Sequence, residues 1–141
     1  MADNLGVVQG IYEAFGRGDV PAILATLADD VRWEDWRDNW SQRAGVPLMT
    51  PRTGRDAVGG FFELVGAATV RDFQVLSMME GGGQVAVEVE IELELPGGGS
   101  YRDEEIHLWT FGADGKVIRL RHYTDTAKHI AASKGERTVT T

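Results

Sequence analysis

The chain has 141 residues, 43% of them hydrophobic, with no cysteine and a formal net charge of -8. That length suits one domain spanning residues 1–141, which should bury roughly two-thirds of the surface its unfolded form exposes, enough for one core and a modest cavity. The negative charge disfavours nucleic acid and anionic lipid surfaces as partners, and the absence of cysteine excludes disulfides, thiolate nucleophiles and cysteine-based metal sites.

Met1 to Gly6 carries no basic segment followed by an apolar run, and no stretch approaches the roughly 20 apolar residues that span a bilayer, so the expected location is cytoplasmic. Leu5, Val8, Ile11, Tyr12 and Phe15 recur at three- and four-residue steps behind Asp3 or Asn4 as a cap, which predicts a first helix. Gly16 and Gly18 end it. Asp19 can cap a second helix over Val20 to Leu27, with Pro21 in its first turn, completing a helical hairpin.

Val31, Trp33 and Asp35 alternate with Arg32 and Glu34 as a short strand. The stretch from Trp36 to Thr53 lacks periodicity and contains Pro47 and Pro51, yet carries Trp36 and Trp40; it reads as a lid over residues 36–53. Arg55 to Ala68 predicts a third helix through Val58, Phe61, Phe62, Leu64 and Val65. Four runs of period-two patterning follow: Val70 to Met79, Gln84 to Leu95, Tyr101 to Phe111 and Val117 to Thr126. Glycine-rich turns and Asp114-Gly115 separate them, so they form an antiparallel meander. Between Val87 and Leu95 the apolar residues alternate with Glu88, Glu90, Glu92 and Glu94, which puts an acidic face toward solvent. Ala127 to Ala132 can add a helical turn, and residues 133–141 read as a loose tail.

This element order resembles the cone fold of the nuclear transport factor two-like proteins. Gly18-Asp19 and Leu27 through Asp35 (Leu-Ala-Asp-Asp-Val-Arg-Trp-Glu-Asp) resemble the N-terminal half of ketosteroid isomerases, with Asp35 at the place of their general base. Ile106-His107-Leu108-Trp109-Thr110-Phe111 resembles the strand that carries their oxyanion-hole aspartate, whose place His107 takes. Asp114 to Val117 and Arg121 to Asp125 resemble limonene epoxide hydrolases and SnoaL-like polyketide cyclases, with His122 at the hydrolases' catalytic aspartate. The resemblance implies an α+β fold: a cone-shaped, curved, antiparallel or mixed sheet with three N-terminal helices enclosing a pocket. Two departures stand out. The isomerases' oxyanion tyrosine falls on Ile11, with Tyr12 about 100° further around the helix, and the strand from Val87 to Leu95 has no arginine.

The residues support two readings. In the first, the protein is a cofactor-free acid/base enzyme of isomerase, cyclase, dehydratase or hydrolase type that acts on a small apolar ring-containing molecule. Asp35 is then the base, His122 a general acid or second base, and His107 the polariser of a carbonyl. Ile11, Phe15, Trp33, Trp36, Phe61, Val89, Trp109 and Thr124 would line the cavity. In the second, the same fold binds a small hydrophobic ligand or another protein without catalysis; Asp35 is then a strand-end aspartate and the histidines are core residues satisfied by backbone groups. His107, His122 and His129 show no metal-ligand spacing, so no metal is expected. The resemblance also implies a homodimer formed through the convex sheet face.

Overall fold

The computed structural model describes residues 3–139. Chain order runs α1 (Asn4–Gly16), α2 (Val20–Leu24), β1 (Leu27–Trp33), α3 (Trp40–Arg43), a 3-10 turn (Pro47–Met49), β2 (Arg52–Thr53), α4 (Arg55–Ala67), β3 (Thr69–Gly81), β4 (Gln84–Glu94), β5 (Ser100–Phe111), β6 (Val117–Tyr123) and α5 (Thr126–Ser133). The caps are the side chains that the sequence offers: Asp3 accepts from the Gly6 N–H, Asp19 from Ala22 and Asp125 from Lys128. Each of these acids satisfies an amide that the first helical turn leaves without a partner.

The strands form one open, mixed sheet in the order β2-β1-β6-β5-β4-β3. Adjacent pairs are antiparallel except β1 with β6, which run parallel. α1 and α4 pack against the sheet, and the main core gathers Val8, Ile11, Trp33, Val87, Trp109 and Leu120, among others, from helices and sheet alike. On β4, Val85, Val87 and Val89 are fully buried. The alternating glutamates of β4 face outward, where Arg102 joins Glu90, Glu92 and Asp72, and Arg71 joins Glu94. The acidic face is thus a solvated, partly paired surface, as its alternation predicts.

Several segments differ from the sequence reading: β1 runs from Leu27 to Trp33 rather than from Val31 to Asp35, and α5 is a full helix over Thr126–Ser133 rather than a turn. The second helix ends at Leu24 because Leu27 already begins β1, whose first rung faces Val117. The tail is tied down as far as it is described. Ser100 donates its N–H to the Glu136 carbonyl, and its own carbonyl accepts from the Thr138 N–H and hydroxyl. The start of β5 would otherwise leave those backbone groups without partners, which fixes residues 136–138; Thr140 and Thr141 lie outside the described residues.

The lid segment is ordered internally by α3, the 3-10 turn and β2. Gln42 holds it to the end of β1, its side-chain amide donating to the carbonyls of Glu34 and Met49. Among the described residues, no helix is long and apolar enough to cross a membrane.

Candidate active site

A narrow cavity of about 90 Å³ opens between α1, α4 and the inner face of the sheet. Its wall is rich in aromatic rings, with Phe15, Trp33, Phe61, Phe62, Phe73 and Trp109 among them, set between aliphatic side chains such as Ile11, Leu93 and Leu120. Polar atoms come from two helices and two strands. Tyr12 reaches in from α1 and His129 from α5, Tyr101, Glu105 and His107 from β5, and His122 from β6, with Thr124 just beyond that strand.

The inner face of β5 is unusual for a core strand. Tyr101, Asp103, Glu105, His107, Trp109 and Phe111 alternate inward and all are buried, so three titratable side chains stand between aromatic ones. Buried charge of this kind must be paired. His107 Nε2 lies 3.0 Å from Glu105 Oε1, and the Tyr12 hydroxyl lies 2.6 Å from His107 Nδ1. Trp109 Nε1 donates to the Tyr12 oxygen at 3.2 Å. Glu105 Oε2 meets His129 Nε2 at 3.0 Å, and that nitrogen also reaches Asp103 Oδ2 at 2.9 Å.

A second couple stands beside the first. His122 Nδ1 lies 3.2 Å from Glu34 Oε2, and the other Glu34 oxygen accepts the His122 backbone N–H at 2.7 Å. The His107 and His122 rings meet edge to face, 4.3 Å between centroids. Nδ1 of His122 therefore carries the hydrogen toward Glu34, which leaves Nε2 to exchange protons on the cavity side.

Glu34 owes its place to one torsion. It is fully buried and, alone among the described non-glycine residues, has a positive φ, 59°. That left-handed conformation is costly for a side chain with a Cβ and persists only where the surroundings hold it. Here the Glu34 N–H donates to the Leu120 carbonyl, and its carboxylate takes the next amide of β6, that of His122, where a continuing β1 would have offered a carbonyl. The strand alternation that buries Val31 and Trp33 would carry Asp35 inward; the left-handed residue reverses it.

Asp35 consequently lies outside the cavity lining. Its carboxylate and carbonyl are gripped by the Arg121 guanidinium at 2.6 to 3.2 Å, and Arg32 joins it at 3.1 Å. The buried acid of this strand end is Glu34, which the sequence reading passed over. Trp36 follows Asp35 outward, packing edge to face on Tyr123 and under the Arg121 cation. Val89 is likewise absent from the lining, being sealed in the core. Ile11, Phe15, Trp33, Phe61, Trp109, Thr124, His107 and His122 all border the cavity. Tyr12 and Glu105 border it too without having been singled out, and His129 enters through α5.

Protonation follows from these contacts. Burial drives His107 down from the ordinary imidazole value, and the neighbouring His122 adds to this, so His107 is neutral near pH 7. Burial also pulls on His122, but the Glu34 carboxylate outweighs it and the net direction is upward. Burial pushes the Tyr12 phenol up, so it stays a hydroxyl. At Glu105 burial pushes upward, yet the hydrogen bonds from His107 and His129 prevail and hold it well below the carboxylate range. Burial raises Asp103. His129, despite burial, is raised to about 9 by its bonds to Asp103 and Glu105.

Asp103, Glu105 and His129 offer ligand atoms within 4.8 Å of one another. His129 Nε2 lies 2.9 and 3.0 Å from the two carboxylates, ordinary hydrogen-bond distances, so its N–H already fills the space between them.

A pH dependence of stability follows. His129 is held above its ordinary value of 6.5, so its stabilisation is complete below about pH 6.5 and is lost as the pH rises through about 9. Urea unfolding at a series of pH values is expected to show wild-type stability falling across that window by on the order of 3 kcal/mol, with a flatter profile for His129→Gln.

Comparisons with known proteins agree with this architecture. The sequence model of the SnoaL-like domain matches residues 8–120. No curated protein matches the chain. Among solved structures, the chain is similar to an NTF2-like protein of Burkholderia pseudomallei K96243, with 28% identity, 94% of this chain and 98% of that one covered, and a TM-score of 0.75. It is also similar to a Xanthomonas campestris pv. campestris protein provisionally named a polyketide cyclase, with 25% identity, 92% and 96% covered, and a TM-score of 0.66. TerC, co-crystallised with polyporic acid, shares the fold at 21% identity, with 93% and 98% covered and a TM-score of 0.72. With an open mixed sheet, helices packed on it and a family match across most of its length, the chain belongs to the SnoaL-like family of the NTF2-like superfamily.

Proposed function

We propose that the protein is a cofactor-free proton-transfer enzyme of isomerase or cyclase type that acts on a small, mostly apolar ring-containing molecule bearing an oxygen. The observation that carries this reading is the meeting of two proton-handling couples on one cavity wall, Glu34–His122 and Tyr12–His107, with their imidazoles 4.3 Å apart. Their environments push the two histidines in opposite directions, the arrangement from which acid and base roles arise.

For an enol going to its ketone, protonated His122 gives the proton on Nε2 to carbon. The enol O–H passes its proton to the Tyr12 oxygen as Tyr12 gives its own to His107 Nδ1. The C–H bond forms as the O–H bond breaks, and His107 ends as an imidazolium beside the Glu105 carboxylate. The reverse path starts from that state. The aromatic wall supplies apolar contact and excludes water from the transfer. The names carried by similar folds, a polyketide cyclase among them, lend support at the level of reaction class.

The test follows deuterium incorporation beside the carbonyl of 2-tetralone in D2O by NMR. Wild-type protein is expected to accelerate exchange over buffer, with about a hundredfold or greater loss in His122→Gln. Wild-type exchange no faster than buffer overturns the enzyme reading. Saturable binding without exchange would favour a ligand-binding role, for which there is a precedent in the similar fold of a computationally designed 17-OHP binder.

A further inference from the structure

Glu105 sits between two histidines and decides the direction of every hydrogen bond around it. An ionised carboxylate only accepts, so both His107 and His129 must present an N–H at Nε2, each 3.0 Å from one of its oxygens. A neutral His107 with its hydrogen on Nε2 keeps a lone pair on Nδ1, which the Tyr12 hydroxyl must then fill at 2.6 Å. Trp109 Nε1–H, which can only donate, already points at the Tyr12 oxygen. Tyr12 therefore spends its one hydrogen on His107, and its oxygen keeps one lone pair for the cavity.

Were Glu105 protonated, it could donate to His107 Nε2. The His107 hydrogen would move to Nδ1, the bond to Tyr12 would reverse, and Tyr12 would turn its hydrogen to the cavity. The state of Glu105 thus sets whether a ligand meets an acceptor or a donor at Tyr12.

What holds Glu105 ionised lies on α5. His129 Nε2 is shared between Glu105 and Asp103, its ring packs against Tyr101 with centroids 4.1 Å apart, and α5 is fixed by Asp125, whose N–H donates to Asp103 Oδ2. The other titratable groups around this set are His122 on β6 and Glu34 after β1. We propose that His129 is a positioning residue: its Nε2–H, shared between Asp103 and Glu105, keeps Glu105 an acceptor and so fixes Tyr12 as a hydrogen-bond acceptor toward the cavity, and the site selects ring compounds that present a hydroxyl or enol O–H there. This rests on the functional reading above for the cavity as the place of binding, and it names the feature that a ligand must carry.

Two measurements test it. Ring-nitrogen NMR of the 15N-labelled wild type at pH 7 is expected to show His129 and His107 each carrying a hydrogen on Nε2. In His129→Leu, lowering the pH from 8 to 5 is expected to move the His107 hydrogen to Nδ1, a shift that the wild type does not make. A His129 without a hydrogen on Nε2 in the wild type, or the same His107 tautomer in folded His129→Leu throughout that range, overturns the proposal.

The second measurement compares binding of 2-naphthol and 2-methoxynaphthalene, which differ in the ability to donate. The wild type is expected to prefer the naphthol by about tenfold, the effect of one unmatched hydrogen bond. Equal affinity overturns the proposal even if His129→Leu does not fold. If neither compound binds, the cavity reading fails, and the tautomer measurement decides the positioning role independently of it.

Discussion

Glu34→Gln is expected to lower turnover by about a hundredfold or more, while Asp35→Asn leaves it within about twofold. The two acids are neighbours, yet the structure gives them opposite surroundings. Glu34 is sealed against His122, accepting its ring N–H and its backbone N–H at once. Asp35 is held on the outer side by Arg121 and Arg32. Glutamine keeps the shape of Glu34 but removes the charge that raises His122, so the proton on Nε2 should leave at lower pH and the acid limb of the pH–rate profile should shift downward. Steady-state rates of 2-tetralone exchange for both variants decide the matter. Equal losses, or a loss confined to Asp35→Asn, would return the base to the position suggested by the isomerase resemblance.

Trp33→Ala is expected to carry the largest stability cost of any single truncation in the cavity wall, about 3 to 5 kcal/mol in urea unfolding. Trp33 is 1% exposed and touches Phe61, Phe62, Trp109 and His122 at ring distances of 5.4 to 6.0 Å, so its removal strips contacts from both helix and sheet. Trp40, 66% exposed, serves as the control: its replacement should change stability by no more than about 0.5 kcal/mol. A cost for Trp33→Ala below about 1 kcal/mol would mean that the wall collapses into the space left, and that the cavity is plastic rather than preformed.

The contrast between these tryptophans shows what the sequence made legible. Trp33 and Trp109 were readable as inward residues because period-two alternation persists through the strands that bear them. The four long strands and their turns followed for the same reason, as did His107 and His122, which share faces with Trp109 and Leu120. Asp35 and Trp36 were misplaced by the same rule carried one residue too far. Nothing local in Trp-Glu-Asp-Trp announces a left-handed glutamate; that conformation is imposed by β6, whose His122 amide donates to a side chain where a strand would have offered a carbonyl. A long-range partner thus overrode a local pattern.

Tyr12 was legible as apolar helix face but not as a polar station, because its partner lies 95 residues away in the chain. Asp103 and Glu105 carried a signal that was available: with His107 they place three polar side chains on the inward register of a strand whose neighbour β4 is apolar on that face. His129 could not be assigned from sequence, since only the docking of α5 against β5 brings it to them.

The crossing of Trp33 and Trp109 also has an optical consequence. The two indoles stand 5.8 Å apart with the His122 ring 6.0 Å from Trp33, so the chromophores that dominate the protein's ultraviolet emission are built into the wall that a ligand would touch. Trp36 and Trp40 lie outside that wall and supply a background insensitive to its contents. Emission from the unlabelled protein should therefore respond to what enters the cavity and to the charge on His122, giving the molecule an intrinsic reporter for both.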